Sequence, residues 1–118
     1  MKMNRLILGD GWLGTELVKQ TGWDYISRKK DGIEFTDINS YKDYLNGYDE
    51  IINCIACTNT YDKNKESSWN TNYKGVVDLV DYLIGKDIKL IHFSTDYLYA
   101  NSKKNASEND VPVHDANW

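Results

Sequence analysis

The sequence predicts an α/β domain, a doubly wound parallel sheet with helices on both faces, and three observations carry that prediction. Short apolar runs alternate with amphipathic stretches along the chain. A glycine-rich turn, GDGWLG at residues 9–14, lies between the first apolar run and the first amphipathic stretch. The later apolar runs are rich in isoleucine and too short to stand as free helices, which makes them buried strands. Strands alternating with helices close by right-handed βαβ crossovers into a parallel sheet. The expected strand order is 3-2-1-4-5.

Residues 5–8 (RLIL) read as a first buried strand that stops at Gly9. From Trp12 the apolar positions Leu13, Leu17 and Val18 recur at helical spacing, and Gly22 is the stop. Residues 23–27 (WDYIS) form a second short strand, followed by a basic loop of Arg28, Lys29 and Lys30 and a third strand at 33–35. A short helix is expected at 40–45, and the run EIINCIAC at 50–57 as a fourth, central strand. Beyond a polar loop, Trp69, Tyr73, Val76, Val77, Val80, Leu83 and Ile84 give the longest helical stripe, read as a core face. Gly85 closes that helix and residues 88–93 (IKLIHF) make a fifth strand. The polar, unpatterned stretch from Asn101 reads as loop, so residues 1–100 are taken as the domain and 101–118 as a loop.

Composition sets the bounds. A chain of 118 residues makes one domain, and its formal net charge of −4 provides no polybasic face for nucleic acid or an anionic membrane. No apolar run approaches the roughly 18 to 20 residues of a membrane span, and the opening MKMNRLILGD is too quickly polar for a signal peptide, so a soluble, cytoplasmic protein is expected. Cys54 and Cys57 are spaced as CxxC, but a zinc site needs a second ligand pair, and His92 and His114 are too far apart to form one. A redox pair belongs at a helix N-terminus, whereas these cysteines fall at the end of a strand-like run. They read as small strand residues, with no metal expected.

In doubly wound sheets ligands bind beyond the carboxyl ends of the strands. Gly9 permits the tight turn, Gly11 lets the backbone approach a pyrophosphate, and Gly14 lets helix and strand pack closely, while the helix N-terminus attracts the negative charge. A dinucleotide is therefore the expected ligand. The acidic residue that would hold the ribose hydroxyls at the end of the second strand is replaced by Ser27, Arg28 and Lys29, groups that suit a 2′-phosphate. NADP is the preferred cofactor on that ground, with NAD as the other candidate. Asp37, just past the third strand, is placed to reach the adenine, and after the fifth strand Ser94 or Thr95 could hydrogen-bond a substrate oxygen.

Several stretches occur together in one order: GDGWLG (9–14), TDI (36–38), INCIACTNTYDKNKE (52–66), WNTNYKGVVDLV (69–80) and FSTDYLY (93–99). On these residues the chain resembles the N-terminal part of the extended short-chain dehydrogenase/reductases, and among them the dTDP-4-dehydrorhamnose reductases. The resemblance implies a Rossmann domain whose cofactor contacts Gly9, Gly11, Trp12, Leu13, Asp37, Ile38, Cys57 and Thr58, with Thr95 and Asp96 at the catalytic centre. It also implies reduction of the 4-keto group of a nucleotide-linked deoxysugar by hydride from NAD(P)H, a tyrosine giving the proton.

That tyrosine belongs to a YxxxK motif in which the lysine lowers the tyrosine pKa. The pattern occurs here as Tyr25/Lys29, Tyr61/Lys65, Tyr82/Lys86 and Tyr99/Lys103, as chance allows in a chain with nine tyrosines, and none has the family's position. That position, about two dozen residues past Thr95, falls at or beyond Trp118, so the resemblance implies a chain that stops before its proton donor and is inactive by itself. Two readings follow: the cofactor-binding part of a nucleotide-sugar reductase, or a non-catalytic nucleotide-binding or scaffold module acting through self-association. Exposed sheet edge and apolar face make a homodimer, or poor solubility, the expected behaviour.

Overall fold

The computed structural model describes residues 3–57 and 65–93. Four parallel strands make its sheet: β1 (Arg5–Leu8), β2 (Asp24–Ile26), β3 (Glu50–Asn53) and β4 (Lys89–His92), in the order β2-β1-β3-β4. In register, Ile7 lies opposite Tyr25 on β2 and Ile52 on β3, and Ile52 lies opposite Ile91 on β4. Leu6, Ile7 and Leu8 are all buried, as a parallel strand covered on both faces requires. Side chains alternate across the sheet, so Leu6, Leu8 and Ile51 join one core cluster while Ile7 and Ile52 point to the opposite face. The cluster is completed by Ile26, Ile33, Phe35, Tyr41, Leu45, Leu79 and Leu83. Each such leucine or isoleucine contributes roughly 1.5–3 kcal/mol by leaving water.

The first crossover helix, α1 (Trp12–Thr21), ends as expected at Gly22, whose φ of 70° is the left-handed stop and whose N–H donates to the Val18 carbonyl. The basic run expected as loop is instead a single helical turn, α2 (Arg28–Asp31). Ser27 makes the difference: its Oγ accepts from the Lys30 N–H at 3.0 Å, and the Asp31 carboxylate accepts in return from the Ser27 N–H at 3.0 Å.

The expected third strand at 33–35 does not form, which reduces the predicted order 3-2-1-4-5 to its last four members. Ile33 and Phe35 are buried as the apolar pattern demands, but Glu34 has no backbone groups to spare for a ladder. Its N–H donates to Ser40 Oγ at 2.9 Å and its carbonyl accepts from the Asp37 N–H at 2.9 Å. The helix expected at 40–45 is two 3₁₀ turns, Ile38–Ser40 and Lys42–Leu45.

The long helical stretch runs through α3 (Glu66–Ser68), a π-helical segment (Trp69–Lys74) and α4 (Gly75–Leu83). Its apolar stripe does not face the core as one surface. Ser68, Gly75, Leu79 and Leu83 are buried, whereas Trp69, Tyr73, Val77, Val80 and Ile84 are exposed. The π segment adds a residue per turn and rotates the positions before it against those after it. Gly75 is required where the helix meets the core, because a Cβ there would lie 2.9 Å from the Phe35 ring. No helix among the described residues is long and apolar enough to cross a membrane.

Candidate functional site

The turn after β1 uses its three glycines for three different reasons. Gly9 holds φ at 99°, its N–H donates to the Ile26 carbonyl at 2.9 Å, and a Cβ there would press on Ile55 at 2.9 Å. Gly14 is buried against the turn, and a Cβ on it would overlap the Gly9 carbonyl oxygen. Gly11 is different, since nothing lies within 4 Å of where its Cβ would be. It is the N-cap of α1 and offers no side chain to the helix N–H groups, so the positive end of α1 faces open space across bare backbone.

That space is a cleft of ≈ 450 Å³, within the range of roughly 300–1,000 Å³ typical of small-molecule sites. Gly9, Asp10 and Gly11 form its floor, and Ser27 and Arg28 its wall on the β2 side. Residues 33–35 and 54–57 supply two further walls, and Ser67 and Thr71 reach in from the long helix. The cleft thus lies at the carboxyl ends of β1, β2 and β3, where a doubly wound sheet presents its ligand site.

The wall at 54–57 is not strand. The run expected as strand to Cys57 ends at Asn53, because Asn53 Oδ1 accepts from the Ile55 N–H at 3.0 Å and turns the chain. The other end of this amide, Nδ2, lies 3.1 Å from His92 Nδ1 on β4. Since Oδ1 is already an acceptor, Nδ2 donates and His92 Nδ1 must be unprotonated. Burial acts in the same direction, holding the His92 pKa below its ordinary value. Asn72, within the π segment, grips both backbone groups of Cys57: its Oδ1 accepts from the Cys57 N–H at 2.7 Å and its Nδ2 donates to the Cys57 carbonyl at 2.9 Å. Cys54 and Cys57 are free thiols on the cleft wall rather than strand residues, and burial pushes the Cys54 thiol up. Among the described residues no three His, Cys, Asp or Glu side chains converge as metal ligands.

Of the residues singled out in the sequence, Gly9, Gly11, Ser27, Arg28 and Cys57 line the cleft, and Gly14 supports its floor. Trp12, which is 98% exposed, and Leu13 stand at the start of α1 outside the lining. Asp37 and Ile38 also lie outside it, the Asp37 carboxylate accepting from the Asn39 N–H to cap a 3₁₀ turn. Ser27 is buried with its hydroxyl occupied in the α2 cap. Thr58, Ser94, Thr95 and Asp96 fall outside the described residues.

The basic run is largely neutralised: Arg28 Nε lies 3.6 Å from Glu34 Oε2, and Lys30 Nζ 3.4 Å from Asp31 Oδ2 and 4.4 Å from the centre of the Tyr25 ring. Of the Tyr/Lys pairs, Tyr82 and Lys86 make a surface cation–π contact at 4.3 Å, and Tyr82 donates to Asn46 Oδ1 at 3.3 Å. Tyr25 stacks with Lys30 rather than Lys29, and Tyr61, Tyr99 and Lys103 lie outside the described residues. Sequence reasoning missed Glu34 and Asn72. Neither carries a local signal, because each meets its partner across a turn or from another element.

The model of the RmlD substrate binding domain family matches residues 3–115. No curated protein sequence matches the chain. Among solved structures, a hypothetical dTDP-4-dehydrorhamnose reductase from Sulfolobus tokodaii is 28% identical with a TM-score of 0.83, over 98% of this chain and 47% of its own. The dTDP-4-dehydrorhamnose reductase of Bacillus anthracis str. Ames in complex with NADP is 23% identical, with a TM-score of 0.81 over 99% of this chain and 45% of its own. The enzyme WbmG of Bordetella bronchiseptica in complex with NAD and UDP is 15% identical, with a TM-score of 0.79 over 99% and 46%. The last two share the fold. The chain spans about half the length of these solved structures.

Proposed function

The chain belongs to the RmlD substrate binding domain family, and from that premise we propose that it is the NAD(P)-binding part of a nucleotide-sugar 4-keto reductase of the dTDP-4-dehydrorhamnose reductase kind. The observation that carries the reading is the glycine turn, with the uncapped N-terminus of α1 opening through Gly11 onto the cleft. In this reading the backbone of Gly9–Gly14 and the α1 N-terminus hold the pyrophosphate. Ser27 and Arg28 would hold the adenosine half, and the wall at 54–57 the nicotinamide half. A bound NAD(P)H supplies the hydride. The chain's own contribution is positioning: Gly11 leaves room for the phosphates, and Asn72 and Asn53 fix the β3 exit. Cys57, Thr58, Trp12, Leu13, Asp37 and Ile38 are proposed cofactor contacts, and Thr95 and Asp96 proposed groups at the reacting carbonyl.

Neither Tyr25/Lys29 nor Tyr82/Lys86 lines the cleft, and the chain is proposed to bind the cofactor without reducing a sugar by itself. Two free thiols are compatible with a reducing, cytoplasmic setting. Fluorescence titration of the purified chain with NADPH tests the binding claim. Saturation with a Kd on the order of micromolar, about 8 kcal/mol, is expected, and absence of saturable binding contradicts it. A second reading, a module that acts by self-association, is favoured by one observation: the exposed face of Trp69, Tyr73, Val77, Val80 and Ile84.

A further inference from the structure

The run Arg28, Lys29, Lys30 gives the adenosine end of the cleft a cationic look in the sequence, and the fold changes that. Gly32, with φ at 70°, reverses the chain after α2 and brings Glu34 back alongside Arg28. Both residues line the cleft, with Arg28 Nε 3.6 Å from Glu34 Oε2, while the second carboxylate oxygen of Glu34 lies 3.4 Å from Thr36 Oγ1. Lys30 is turned onto Asp31 and the Tyr25 ring, which leaves Lys29 as the cation of this run with no ion pair among the described residues.

We infer that Glu34 is a specificity-determining residue, which holds Arg28 in an ion pair at the adenosine end and so tempers the preference for the 2′-phosphorylated dinucleotide. This rests on the dinucleotide reading above. A 2′-phosphate seeks the guanidinium fork, and to reach it must displace the Glu34 carboxylate and then sit beside that like charge. A free ribose 2′-hydroxyl meets no such repulsion and donates to the same carboxylate. The side chains of Arg28 and Glu34 are 76% and 49% exposed, so the pair is screened and opens at small cost. The cleft therefore admits both dinucleotides, and the balance between them is set by Glu34 as much as by Arg28.

The test is a set of titrations at one ionic strength, in which the wild-type chain, Glu34→Gln and Arg28→Gln are each titrated with NADPH and with NADH. Both substitutions are at exposed side chains, where replacement costs little stability. Glu34→Gln is expected to tighten NADPH about threefold or more while NADH stays within about twofold or weakens. Arg28→Gln is expected to weaken NADPH about fivefold with little change for NADH. An unchanged NADPH-to-NADH ratio in Glu34→Gln overturns the inference while leaving the dinucleotide site standing. A wild-type chain that binds neither contradicts the proposed function itself and removes this inference with it.

Discussion

Tyr41 is 1% exposed, its ring stacks on Phe35 at 5.8 Å, and its hydroxyl has no hydrogen-bond partner among the described residues. Burial, with the charge of Asp78 adding to it, pushes its phenol well above the ordinary tyrosine value. An unpartnered buried hydroxyl costs about 1–3 kcal/mol, while the ring beneath it is needed by the core. Tyr41→Phe is therefore expected to raise stability by roughly 1 kcal/mol in urea unfolding, and a loss of similar size would show that the hydroxyl has a partner in solution. At this scale the glycine turn was legible in the sequence, because each glycine answers a local demand: a positive φ, an open approach or a close contact. The pairing of Arg28 with Glu34 was not, since neither a helix nor a strand brings residues six apart into contact, and only the Gly32 reversal does so.

Four of the five expected strands formed, and the one at 33–35 did not. Residues 33–35 carry the apolar alternation of a strand and bury it, so the pattern was read correctly as burial and wrongly as pairing. Ser40, seven positions beyond Ile33, decided the matter by taking the Glu34 N–H. The long helix misled in a similar way: Trp69 and Tyr73 fall in the π segment, and within α4 the core is met by Gly75, Leu79 and Leu83 while Val77 and Val80 of the expected stripe face outward. Asn72 shows what the π segment accomplishes, placing an amide where it bonds both backbone groups of Cys57. Asn72→Ala leaves those groups without their partner and is expected to cost about 1–3 kcal/mol of stability and to weaken NADPH binding. Thermal unfolding and titration together check this, and wild-type values in both would show that the clamp is dispensable.

On the scale of the whole molecule, the parallel sheet, the crossover connections and the cleft at the strand ends follow from the alternation of strands and helices that the sequence displays. The stripe of the long helix was read mainly as a core face, and much of it is exposed. Trp69 and Tyr73 pack there as tilted rings with centroids 4.4 Å apart, and Val77, Val80 and Ile84 continue the exposed face. The second reading expects this face to pair with its copy, so sedimentation velocity should show a dimer that Val80→Glu dissociates. A wild-type chain that remains monomeric at high concentration counts against it.

A dinucleotide is proposed to lie across the carboxyl ends of β1, β2 and β3 with its pyrophosphate on the α1 N-terminus. The most direct measurement is an amide NMR titration of the labelled chain with NADPH. Saturable shifts centred on Gly9, Gly11 and Leu13, and extending to Arg28 on one side and Cys57 on the other, are the predicted result. Shifts confined to other surfaces, or none at a concentration where the glycine turn should be filled, would contradict it.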